Sequence, residues 1–175
     1  MKFSKILLLL VIAVSIVSCK SDDDGTVEFS LSNANIAGTH ALSFFTVNRE
    51  EIADFNGVPV TSNTSVVGNT FQVTAVFGDD GTYTISGDYI AVITITAGGV
   101  SQELDPETIE LDESGTYVIS TDEQTISLSG LSDLGGGVFV VELFNETEFK
   151  ITQMVEVTLP DLTSTTTSEL RFVRQ

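Results

Sequence analysis

The stretch 77–96, FGDDGTYTISGDYIAVITIT, leaves this chain little freedom in how it folds. Tyr83, Ile85, Tyr89, Ala91, Ile93 and Ile95 fall on one side of a two-residue alternation, while Thr82, Thr84, Ser86, Asp88, Thr94 and Thr96 fall mostly on the other. A period of two with one apolar face marks a half-buried β-strand, and a strand this long needs antiparallel neighbours. Gly78-Asp79-Asp80-Gly81 supplies turn chemistry just before it, because glycine and aspartate tolerate the left-handed backbone of tight hairpins. Gly87 inside the run predicts a bulge or bend of the kind that carries a long strand around a barrel corner.

The first eighteen residues are a processing signal. Lys2 and Lys5 precede an apolar run over 6–17, too short to cross a bilayer and proportioned like a secretory h-region. The run ends in Ile16-Val17-Ser18-Cys19, which resembles the bacterial lipobox. That resemblance implies that the Cys19 thiol is acylated, palmitate being the typical chain, and that Cys19 becomes the mature N-terminus. Cys19 is the sole cysteine, so no intrachain disulfide forms despite export. Residues 19–35 read as a lipidated acidic tether, its first part too polar to pack. Lys20 after the cysteine fits release to the outer membrane, and Asp22, Asp23 and Asp24 resemble the surface-export signal of Bacteroidetes lipoproteins. The expected address is the outer membrane, on its cell-surface or periplasmic face. Those aspartates lack the alternating ligand spacing of a calcium loop.

With the signal removed, 157 residues remain, which suits one domain, taken here as 36–175. The signal carries two of the seven basic residues and none of the 25 acidic ones, leaving a mature formal charge of −20. Such a field repels phosphate backbones and anionic headgroups, which argues against nucleic acid and leaves membrane attachment to the lipid on Cys19.

The rest of the domain reads as strand after strand. Residues 31–37 suit a helical turn, and 38–47 the first strand. Residues 48–69 form the longest irregular stretch, expected to be a loop over one end of the fold, with a short helix at 50–55 or a short strand at 58–61 as local options. Residues 70–77 alternate again. Beyond the 77–96 strand, Gly98-Gly99 turns the chain, 100–104 suits a short strand, Asp105-Pro106-Glu107 breaks it, and 109–111 pairs weakly. Gly115-Thr116-Tyr117 then repeats Gly81-Thr82-Tyr83 and predicts a second turn-to-strand start. Runs at 125–129, 138–144, 148–157 and 169–174 complete the set, with Gly135-Gly136-Gly137 as a flexible connection and 158–167 as a polar loop. The expected fold is all-β: a single antiparallel up-and-down barrel of about eight strands, closed on itself to abolish its edges.

The order of Ile36-Ala37-Gly38-Thr39, the FGDDGTYTISGDY segment, the second GTY, Phe139-Val140-Val141-Glu142-Leu143 and Leu170-Arg171-Phe172-Val173-Arg174 resembles the lipocalin-like, or calycin-type, barrels of bacterial lipoproteins. In that family a tryptophan two residues after the first-strand glycine plugs the closed barrel end beneath a basic residue. His40 stands in that place here, so the resemblance implies a smaller plug built from His40 with Arg171 or Arg174. It also implies a small apolar ligand, for which Phe71, Val73, Phe77, Tyr83, Ile85, Tyr89, Tyr117, Phe139 and Phe149 are the candidate cavity lining. From the residues alone, the same side chains equally suit a packed core. A protein partner, met by residues 48–69 and the acidic rim, is the competing expectation.

Catalysis and cofactors are not expected. His40 is the sole histidine and Cys19 is committed to lipid, so a Cys-His metal cluster cannot form and no metal site is predicted. No glycine-rich phosphate loop followed by lysine occurs. The adjacent carboxylates Glu50 and Glu51, Asp79 and Asp80, Asp112 and Glu113, and Asp122 and Glu123 do not suggest a pair set across a cleft.

Overall fold

The computed structural model describes residues 29–175, so Cys19, Lys20, Asp22, Asp23 and Asp24 lie outside the described residues. A single helical turn, α1 (Asn33–Ile36), precedes ten strands: β1 (Gly38–Phe55), β2 (Val58–Asn69), β3 (Thr74–Phe77), β4 (Thr82–Ala97), β5 (Val100–Glu103), β6 (Glu107–Ser120), β7 (Thr125–Ser129), β8 (Gly137–Phe144), β9 (Glu148–Leu159) and β10 (Leu162–Arg174). All pairings are antiparallel, and β10 returns to β1 from His40↔Arg174 onward, which closes an eight-membered up-and-down ring. β2 and β3 share one place in that ring. Both lie between β1 and β4, separated by a break at Thr70, whose φ is 51°. Gly87 has φ 120° opposite this break, where a Cβ would meet the Gln72 carbonyl oxygen at 2.0 Å. The predicted bend is therefore present, and its cause is the close crossing of two backbones.

The expected barrel is present, but its wall is uneven. Residues 48–69 are not a loop over one end of the fold. They are the far half of β1 and all of β2, joined by the two-residue turn Asn56-Gly57 with φ of 57° and 86°. That pair of left-handed angles is what an Asn-Gly hairpin turn provides. Residues 158–167 are likewise no loop, since β9 runs to Leu159 and β10 restarts at Leu162 around Pro160-Asp161. With the Gly98-Gly99 turn of the β4–β5 hairpin, three two-residue turns cap a projecting sheet in the order β9-β10-β1-β2-β4-β5. β6, β7 and β8 stop short of it, so the molecule is a closed barrel below and an open half-wall above.

β6 is continuous through Gly115, which corrects the expectation that this glycine follows a turn. Thr82 pairs with Thr116, so the two GTY copies are antiparallel neighbours. Gly81 is left-handed at φ 84°, but Gly115 is needed for space: a Cβ there would sit 1.8 Å from the Ser129 carbonyl oxygen. The 130–136 connection is also tied down. Leu131 and Leu134 are buried, and Glu113 Oε1 accepts hydrogen bonds from the backbone N–H groups of Ser132 at 2.7 Å and Asp133 at 2.9 Å, and from the Ser132 hydroxyl.

The core fills the closed section. Phe77 is its hub, with ring centroids 5.4 Å from Tyr117, 5.6 Å from His40, 5.7 Å from Phe149 and 5.9 Å from Tyr83. Phe149 stacks on Phe172 at 4.7 Å. Aromatic pairs at these separations add to the stabilisation from burial alone.

Candidate functional site

The lower barrel end is sealed by the chain's own entry. Leu31 and Ile36 are buried, and Phe29 stacks on Phe144 at 5.0 Å, so packed structure already begins ahead of residue 36. His40, 1% exposed, sets its Nε2 2.8 Å from the Ile36 carbonyl oxygen. A bond to a carbonyl requires Nε2–H as donor. Nδ1 has no partner, and burial holds the pKa of His40 below its ordinary value, with Arg174 adding to that shift. The ring is thus a neutral packing element. Arg174 donates from NH1 to the Ala37 carbonyl at 2.9 Å and from NH2 to that of Asn35, which clamps α1 over the barrel end. Of the two arginines expected at the plug, only Arg174 is there. Arg171 lies on the outer face, paired with Glu169 at 2.6 Å and over the Phe44 ring at 4.7 Å, because it falls on the opposite parity of β10 from buried Leu170 and Phe172.

Eight of the nine candidate lining residues, Val73, Phe77, Tyr83, Ile85, Tyr89, Tyr117, Phe139 and Phe149, point inward and are buried, and Phe71 is half-buried against Tyr89. Two of the three tyrosine hydroxyls have partners within the protein. Tyr117 donates to the Gly78 carbonyl at 2.5 Å and Tyr83 to that of Ser129 at 2.9 Å. Burial pushes the phenols of Tyr83 and Tyr89 up to about 12, with the Glu113 charge adding to both and that of Asp133 to Tyr89. The structure thus brings this set together as a mutually packed cluster.

The projecting half-wall carries the surface features that sequence reasoning missed. On its inner face, continuing the parity of the core, stand Phe55, Val58, Val60, Val155, Val157 and Leu159, between 42% and 62% exposed. Between this apolar tip and the core lies a polar band in which Arg49 Nε donates to Ser164 Oγ at 3.1 Å and NH2 pairs with Glu51 at 2.6 Å. The outer face is hydroxyl-rich. Two shallow clefts there, of about 380 and 320 Å³, share Asn48 and Thr167 and are lined mainly by threonine, serine and asparagine. Alternation with one polar and one apolar face is the signature of a sheet whose apolar side is covered, yet no described residue covers this one. The Asn56-Gly57 dipeptide between two β-prone runs is the signal that would have revealed the hairpin.

No family model matches the chain, and no curated protein matches it. Among solved structures it is similar to Ail, the attachment invasion locus protein of Yersinia pestis, an outer-membrane barrel of eight strands. The match covers 79% of this chain and 99% of that one, at 8% identity and a TM-score of 0.23. A likeness so slight carries no argument about this chain. The burial pattern speaks for itself: β4 and β6 turn Thr82, Thr84, Ser86, Asp112, Ser114 and Thr116 outward and pack aromatics inside, the reverse of a lipid-facing barrel. Among the described residues no helix is long and apolar enough to cross a membrane, which says nothing of strands.

Proposed function

We propose that this protein is a non-catalytic interaction module, tethered to the outer membrane through a lipid on Cys19, that binds a protein partner with the inner face of its projecting wall. The observation that carries this reading is the exposed apolar set Phe55, Val58, Val60, Val157 and Leu159 above a barrel filled with its own side chains. A carrier of small apolar ligands would place its apolar side chains around a space, whereas the candidate lining residues here lie against one another. Charge indicates the kind of partner. Asp54 and Asp161 meet at the wall tip and Glu156 stands lower on the wall, whose one basic residue in this upper part, Arg49, is already tied to Glu51. The complementary surface is apolar with a basic rim.

A photo-crosslinking amino acid at Val58 or Val157, in cells of the native organism, is expected to give one discrete protein adduct. The same group at Val118, 67% exposed on the short side, is expected to give none. No adduct from the wall positions, together with saturable binding of a fluorescent fatty-acid analogue by the purified protein, would reverse the assignment in favour of a carrier.

A further inference from the structure

We infer that the upper edge of β9 is a strand-addition site for an extended segment of another protein, one that alternates apolar residues on one side with basic residues on the other. This deepens the interaction reading and rests on it. β8 accompanies β9 only as far as Val140↔Thr152, whereas β10 accompanies it to Leu162↔Leu159. From Gln153 to Leu159, β9 is therefore bonded on one side only among the described residues. Gln153 marks the parting of β8 from β9: its Nε2 donates to the carbonyl oxygens of Gly136 at 3.3 Å and Val138 at 3.1 Å.

The free run, Gln-Met-Val-Glu-Val-Thr-Leu, spans about 20 Å and is rich in β-formers. Proteins that keep an edge from pairing shorten it, bulge it, or place lysine or proline on it. This edge is seven residues long with no lysine and no proline within it and an unbroken register with β10, its one charge being Glu156 and its stop Pro160. The opposite edge of the same wall shows the contrast in length, because β5 is only four residues long. Val155, Val157 and Leu159 point to the inner face, so an added strand would extend both the hydrogen-bond ladder and the apolar surface.

The occupant follows from charge and register. A second copy pairing antiparallel over the whole run would be centred on Glu156 and set Glu156 against itself, and like charges directly opposite each other destabilise a sheet. Residues 19–28 of the chain offer Asp22, Asp23, Asp24 and Glu28 with no apolar alternation, so they suit this edge no better. On the outer face the cross-strand row Glu156, Thr165, Glu50, Asn63 contains no base. A lysine or arginine of an incoming strand would find Glu156 without an internal competitor.

The test uses the full-length protein and two nine-residue peptides of one sequence, alternating valine and lysine. One peptide is N-methylated at every second amide, which keeps its side chains and removes half its donors. Hydrogen exchange over residues 153–159, read by mass spectrometry, is expected to slow at least tenfold with the unmodified peptide and to stay unchanged with the methylated one. Glu156→Lys, at an exposed position, is expected to lower the affinity at least fivefold and to reverse the preference toward a valine-glutamate peptide. Equal protection by both peptides would overturn strand addition while leaving the interaction reading in place, and so would protection that rises with the protein's own concentration. No protection at saturating peptide, with the Val58 adduct intact, would overturn the edge alone; loss of both would overturn the edge and the interaction reading together.

Discussion

Phe77 and His40 show how single residues set the stability of the closed section. Truncating a buried phenylalanine removes its transfer free energy and leaves a cavity, so Phe77→Ala is expected to lower unfolding stability by about 3–5 kcal/mol in denaturant titration. His40 ties stability to acidity. Its folded pKa is lowered, so between that value and the ordinary one near 6.5 the unfolded chain binds the extra proton, and stability falls as pH drops through this window. His40→Gln should abolish this component while leaving the remaining acid dependence in place. At the alkaline end the sign reverses. Tyr83 and Tyr89 keep their protons up to about 12 when folded, but lose them near 10 when unfolded. Stability is therefore expected to fall from pH 10 upward by as much as about 2.7 kcal/mol per unit, followed by the tyrosinate absorbance that appears on unfolding.

At the level of elements, much was legible and the exceptions share a cause. The period-two runs of β4, β7 and β8 declared themselves, because one face of each is buried and the other solvated. The upper halves of β1 and β10 and most of β2 did not. Their Glu50, Glu51, Thr163, Thr165 and Thr167 stand on a wall with both faces largely open, so burial imposed no hydrophobic alternation. Backbone pairing and polar side-chain contacts such as that of Arg49 with Ser164 hold them, and neither leaves a hydrophobic period in the sequence. The dipeptide Asn56-Gly57 was the remaining sign, and it outweighs the charge content that suggested a loop. Gly57→Ala is expected to cost about 1 kcal/mol or more through the left-handed angle, read as faster amide exchange in 50–60 with little change in the barrel. The same reasoning applies to the 130–136 connection, whose glycines signalled flexibility while Glu113, seventeen residues earlier, anchors it from another strand. Glu113→Ala is expected to remove about 1.5–3 kcal/mol and to expose Leu131 and Leu134 to limited proteolysis nearby.

Across the whole molecule, stability and recognition occupy different places. The lower barrel holds the aromatic cluster, the α1 clamp and the ring closure, so it has its own core. The upper wall buries little, and its side chains at the tip are more exposed than core residues of the same type. Conserving such apolar surface is not required for folding, since exposed substitutions away from caps and cores change stability by only about 0.5 kcal/mol. Replacing Phe55, Val58 and Val60 together by threonine, a strong strand former, keeps the hairpin pattern and removes the apolar tip. The triple variant is expected to melt within a few degrees of the parent. It should also stay longer in solution at high concentration and lose the crosslinked adduct from Val157. A large fall in melting temperature would mean that the tip packs against part of the chain itself, and the wall would then belong to the core rather than to a partner.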